Sequence, residues 1–250
     1  MGACLGPKGR VMTATTKDRR RTGASDGGDL VVELRGVTKS FTSSTGSTVV
    51  LEDVDLTITA GEKASLVGPS GSGKSTLLAL VAGLLRPDSG TVSIDGMAYS
   101  ELGERDRAQI RADRIGIALQ SDNLIPFLSA RENVELALSF SSAARSRRAV
   151  RARAGELLDG LGLTDRAHHM PRHLSGGEAQ RVALAVAMAN EPALLLADEV
   201  VAALDGDTAV RVVEMVLEAD FAVLFVTHHV ALADRVDSRY ELVDRRVVRR

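Results

Sequence analysis

Eight consecutive residues constrain the fold of this chain more than any others: Gly68-Pro69-Ser70-Gly71-Ser72-Gly73-Lys74-Ser75. They fit the pattern G-x-x-x-x-G-K-[ST], between a strand expected from Glu62 to Val67 and a helix expected from about Lys74 to Leu84. Glycines at these places let the backbone curl until successive N–H groups converge, and the following helix adds its positive N-terminal end. Phosphate oxygens are what such a nest holds. Lys74 supplies a mobile charge for β- and γ-phosphates and Ser75 a hydroxyl for Mg²⁺, with Thr76 completing the phosphate-side residues. A Gly-rich turn that binds nothing would share the residues but not the strand–loop–helix setting. Alone, the motif admits a kinase, a GTPase or a motor.

A second feature is the run Leu194-Leu195-Leu196-Ala197 ending in Asp198 and Glu199. Carboxylates at a strand end are ordinarily solvated. Paired with a phosphate loop they form a site: Asp198 placed to hold Mg²⁺, and Glu199 to take a proton from an attacking water. In a phosphate-loop fold this strand is expected to lie beside the one feeding the loop, and ligands collect at the carboxyl ends of such strands.

Further strands are expected at Leu30 to Leu34, Val49 to Ile58, Thr91 to Ile94, Ile115 to Leu119, Ala222 to Val226 and Tyr240 to Val243. A helix-rich stretch from about Ser129 to Ala189, interrupted near Pro171, reads as an insertion, and another helix is expected from about Thr208 to Glu218. Alternating strands and helices give an α/β fold with a mostly parallel sheet. Residues 1–29 mix Gly, Ser, Thr, Lys and Arg without periodicity and are expected to form a disordered tail. A net charge of -2 gives no general attraction to nucleic acid, so no nucleic-acid partner is expected. The single cysteine, Cys4, cannot form an internal disulfide, and a reducing cytoplasm is the simplest setting. No segment offers the ~20 consecutive apolar residues that cross a bilayer, so work at a membrane requires docking on a spanning partner.

Leu174-Ser175-Gly176-Gly177-Glu178 opens a helix, with Gln180 and Arg181 close behind. Ser175 alone would pass for an ordinary N-cap. Between the phosphate loop and the acidic pair, however, the segment resembles the signature of ABC ATPases, and the likeness extends over the chain from Leu30 onward. It implies a P-loop NTPase (RecA-like) core, an N-terminal antiparallel β subdomain and an α-helical subdomain at about 121–180, all within a cassette spanning 30–250. It also implies that Phe41 stacks on adenine and that Gln120 opens a loop reaching both Mg²⁺ and the reaction centre. Ala203-Leu204-Asp205 is similar to the family's D-loop, and Thr227-His228 to its switch histidine. Two cassettes would pair head to tail, with ATP held between the phosphate loop of one and Ser175, Gly176 and Gly177 of the other. Lys74, Gln120, Glu199 and His228 would carry hydrolysis, and Ser75, Gln120 and Asp198 would hold Mg²⁺.

Phe127 to Val134, and Ala167-His168-His169-Met170-Pro171, resemble the branch containing lipoprotein-releasing, macrolide-export and cell-division ATPases. That branch implies a separate permease with a large extracytoplasmic domain, and a cassette bound peripherally to the inner face of the membrane. A non-transport ATPase that mechanically regulates cell-envelope proteins is the alternative. Soluble ABC proteins of translation or DNA repair typically carry two cassettes or long coiled coils, which this sequence lacks. Three departures stand out: Val200-Val201-Ala202 where the branch carries Pro-Thr-Gly or Pro-Thr-Ser, His229 in place of Asp, and Val186 in place of Arg. The first relaxes the backbone after Glu199, so binding is expected to survive better than the hydrolysis rate.

Overall fold

Two strands, β7 (Leu194–Asp198) and β8 (Ala222–Val226), are apolar along almost their whole length because both of their faces are covered. Their residues divide with the period of two that a pleated strand imposes. Leu194, Leu196, Leu224 and Val226 join one buried cluster, and Leu195, Ala197, Val223 and Phe225 join the other. The computed structural model describes residues 29–44, 46–118, 124–198, 206–227 and 235–250, with backbone alone for 206–209.

Around these strands the larger sheet is completed by β3 (Lys63–Val67), β6 (Ile115–Ala118), β9 (Ser238–Val243) and β10 (Arg246–Arg249), in the order β10-β9-β3-β8-β7-β6. Every pairing is parallel except that of the β9–β10 hairpin. A smaller antiparallel sheet has the order β2-β1-β4-β5, formed by β1 (Leu30–Ser43), β2 (Gly46–Thr59), β4 (Ser89–Ile94) and β5 (Met97–Ala98). Between the sheets, Leu77 and Leu80 of α1 (Lys74–Val81) pack with Leu34, Ile58 and Leu66. Each such side chain, fully buried, contributes about 1.5–3 kcal/mol.

On the opposite face lie α3 (Ala130–Ser139), α4 (Arg147–Gly160), α5 (Gly176–Met188) and α6 (Gly206–Glu218). The first three lie in the long crossover between neighbouring strands β6 and β7. The crossover is tied to the core through α2 (Glu104–Arg114). The Asp113 carboxylate accepts from Ser141 Oγ at 2.8 Å and from the Ser142 N–H at 2.8 Å, and Asn190 Nδ2 donates to Ala112 O at 3.1 Å and Ala137 O at 2.9 Å.

The expected α/β architecture is borne out, with corrections. β7 does not lie beside β3: β8 runs between them. The order of strands is decided by packing of covering helices, which no local motif encodes. Helix α1 stops at Val81 rather than Leu84, because Gly83 takes a left-handed conformation (φ 63) against the Tyr99 ring. The helical stretch breaks between α3 and α4 as well as near Pro171. Helix α2 was not foreseen. It is short of apolar residues and buries only Arg107, so it carries no periodic apolar stripe.

Candidate functional site

Strand β3 delivers the chain to Gly68, and the loop ends at Gly73, the N-cap of α1, with φ 111. A side chain at Gly73 would meet Val50, since an added Cβ would lie 2.9 Å from Val50 Cγ1. The glycine therefore allows the loop to press against β2. Lys74 is buried beneath it, its Nζ donating to the carbonyls of Gly68 and Pro69 at 2.8 Å each. Ser70, Gly71 and Ser75 are exposed and Thr76 is half-buried. No acidic side chain occupies the first turn of α1, so nothing there competes for its positive end. Ser72 Oγ is buried without a partner inside the loop.

The β1–β2 pairing brings Phe41 to the same neighbourhood. Ser40 sits opposite Val49 and Phe41 opposite Thr48, one and two residues from the Val50 that touches Gly73. The Phe41 ring is 44% exposed, with Lys39 Nζ 5.6 Å from its centroid. Asp88 fixes this stretch, accepting from Lys39 Nζ at 2.7 Å and from Ser40 N and Oγ at 2.6 Å each. The Lys39 ammonium and then the Ser40 donors hold its carboxyl down at a pKa of about 2.

At the carboxyl edge of the sheet, Val226 lies opposite both Leu66 and Asp198, so β3, β8 and β7 end level. Asp198 is half-buried and shares this edge with the phosphate loop, two strand spacings or ~10 Å from β3. Thr227, buried at the end of β8, immediately precedes His228. Gln120, Glu199, Asp205 and His228 lie outside the described residues, as do Val200-Val201-Ala202 and His229.

Beyond Gln120, buried Asn133 fastens the chain. Its Oδ1 accepts from Ile125 N at 2.7 Å, and its Nδ2 donates to the carbonyls of Ile125, Leu128 and Ser129 at 3.3, 3.1 and 2.9 Å. Neither Asn133 nor Asp88 was picked out from the sequence as a site-building residue.

Ser175 caps α5 through a capping box. Its Oγ accepts from Glu178 N at 3.2 Å, while its own N–H donates to Glu178 Oε2 at 2.8 Å. Ser175 and Gly176 are exposed and Gly177 half-buried, leaving a glycine-bare helix end open to solvent. The Ser175 N–H and then Arg166, whose Nε donates to Oε1 at 2.8 Å, hold the Glu178 carboxyl at a pKa of about 2. Val186 lines a groove of about 570 Å³ between α2, α3 and α5.

The sequence model of the family described as ABC transporter matches residues 51–202, more than half of the chain. The chain belongs to the ABC transporter family. It is an ATP-binding cassette 44% identical over 220 residues to the lipoprotein-releasing system ATP-binding protein LolD 2 of Caulobacter vibrioides, covering 86% of this chain and 96% of that protein. Its identity to the LolD protein of Hyphomonas neptunium is 40%, with 87% and 96% coverage. Its fold superposes on the dimeric, post-hydrolysis state of the cassette MJ0796 bound to ADP and Pi, with a TM-score of 0.82 and 40% identity over 86% of this chain and 96% of that one. Among the described residues of the cassette, no helix is long and apolar enough to cross a membrane.

Proposed function

We propose that this cassette binds Mg-ATP in the loop from Gly68 to Thr76, pairs head to tail with a second cassette, and converts hydrolysis into movement of a separate permease. One observation carries the reading: the glycine-bordered helix ends at Lys74 and at Ser175 lie on helices that follow different strands. A second chain can supply the Ser175 end to a phosphate already seated on the Lys74 end.

In this reading Lys74 leaves the Gly68 and Pro69 carbonyls for the β- and γ-phosphates. Ser175 and Gly177 meet the γ-phosphate from across the interface, with Gly176 permitting close approach. Ser75 and Asp198 are hard oxygen donors, the set Mg²⁺ prefers alongside nucleotide phosphates; Gln120 is assigned as a further ligand. The metal would supply neutralisation of the phosphate charge. Glu199 accepts a proton from the attacking water, His228 contacts the γ-phosphate, and Asp205 belongs to the facing surface.

Phe41 is assigned to the adenine. A stacked base is worth about 1–3 kcal/mol. Phe41→Ala is therefore expected to weaken ATP roughly tenfold while leaving inorganic tripolyphosphate unchanged, by competition against a fluorescent nucleotide.

The limits 30–250 for the cassette and about 121–180 for its helical part are assigned on the same footing. Its location would be peripheral, on the inner face of the membrane. The groove beside Val186 is rimmed by Leu84 and Phe140, 56% and 63% exposed, and would receive the permease. The branch resemblance of Phe127 to Val134 and of Ala167 to Pro171 supports a permease with a large extracytoplasmic domain, and the LolD relatives are named as lipoprotein-releasing. Affinity purification from native membranes should recover such a permease with the tagged cassette, and Leu84→Asp with Phe140→Asp should lose it. Recovery undiminished in the double variant would remove the groove assignment.

A further inference from the structure

The capping box at Ser175 solves one problem and creates another. Using its Oγ lone pair to accept from Glu178 N leaves the Ser175 hydroxyl proton free to donate outward, together with the unpaired N–H groups of Gly176 and Gly177. The same box anchors an ionised carboxylate one hydrogen bond from the Ser175 backbone. A fixed negative charge there opposes the approach of a phosphate to the helix end.

Arg166 answers it. The residue closes a short 3₁₀ turn (Thr164–Arg166) held by the buried neighbours Leu163 and Ala167, with Arg166 N donating to Leu163 O at 2.9 Å and Arg166 O accepting from His169 N at 2.9 Å. From this anchored position its Nε donates to Glu178 Oε1 at 2.8 Å, while Ser175 N occupies the other carboxylate oxygen. The arginine side chain is 45% exposed, and an ion pair this open adds little to fold stability. Its consequence lies in the local field.

We propose that Arg166 is a positioning and charge-compensating residue of the signature: it cancels the Glu178 carboxylate, so that the Ser175–Gly177 helix end attracts the γ-phosphate of ATP bound to the partner cassette. The proposal rests on the head-to-tail reading above.

The test uses the full chain carrying Glu199→Gln and measures Mg-ATP-driven dimerisation by analytical ultracentrifugation at low ionic strength. Adding Arg166→Gln is expected to weaken the dimer about tenfold or more, with ATP affinity of the monomer unchanged. Adding Glu178→Gln to that variant should restore dimerisation to within about twofold, because an amide oxygen still accepts from Ser175 N and no charge remains to be cancelled. Glu178→Gln by itself should dimerise at least as tightly as its parent. Undiminished dimerisation of the Arg166 variant, failure of Glu178→Gln to rescue it, or a Glu178→Gln variant that dimerises poorly would each overturn the proposal. A parent that binds Mg-ATP yet stays monomeric would instead overturn the head-to-tail reading beneath it.

Discussion

Lys74→Ala is expected to lower ATP affinity by at least ~100-fold, because two charge-assisted hydrogen bonds to phosphate are each worth about 1.5–3 kcal/mol. Without nucleotide the Lys74 ammonium donates to Gly68 O and Pro69 O, so the same side chain holds the loop curled before ATP arrives. Alanine leaves both carbonyls without that donor. Some thermal stability should therefore be lost in the nucleotide-free protein, about 1 kcal/mol for part-buried hydrogen bonds. Melting without nucleotide separates this effect from the binding loss, which is read by titration with a fluorescent ATP analogue. A Lys74→Ala variant that hydrolysed ATP at the parental rate would remove the phosphate-loop assignment.

Glu199→Gln should do the reverse: keep ATP and stop the cycle. General-base catalysis supplies about 10²–10⁴ in rate, and an amide of the same shape leaves Asp198, Ser75 and Lys74 untouched. ATP that cannot be hydrolysed remains between the cassettes, so a dimer dependent on Mg-ATP should accumulate on size-exclusion chromatography. A variant that binds ATP but elutes only as a monomer would count against a composite site. The neighbouring Val200-Val201-Ala202 makes the parental rate the sensitive quantity, since the sequence has no proline to fix φ after the carboxylate proposed as the base.

What could be read in advance was what the chain writes locally. The phosphate loop, the Asp198 strand and the Ser175 cap each depend on residues within a few positions of one another, so spacing alone exposes them. Asp88 escaped because the atoms it holds are 48 residues away, on Ser40, and Pro87-Asp88-Ser89-Gly90 looks like any turn. Arg166 escaped for a related reason: its partner Glu178 is 12 residues on, past an irregular stretch without helical periodicity. Asn133 lies in the Phe127 to Val134 stretch that carries the branch resemblance, and nothing local shows that its amide holds the loop before α3. The strand β8 was expected where it is found, but β7 was expected beside β3 and is not, because adjacency in a parallel sheet is set by how crossovers stack, over separations that no motif spans.

The level ends of β3, β8 and β7 have a bearing on how this cassette can fail. Val226 serves as a gauge between Leu66 and Asp198, and the gauge is set by interior leucines, valines and phenylalanine rather than by anything at the reaction edge. A slip of one residue would turn every β8 side chain to the wrong face, which the two cores forbid. Alignment between the phosphate cradle and the carboxylate is consequently all-or-nothing, lost with the cores rather than worn away by degrees. Conservative repacking deep in β8 can therefore lower the temperature the cassette survives without detuning the chemistry it performs below that temperature.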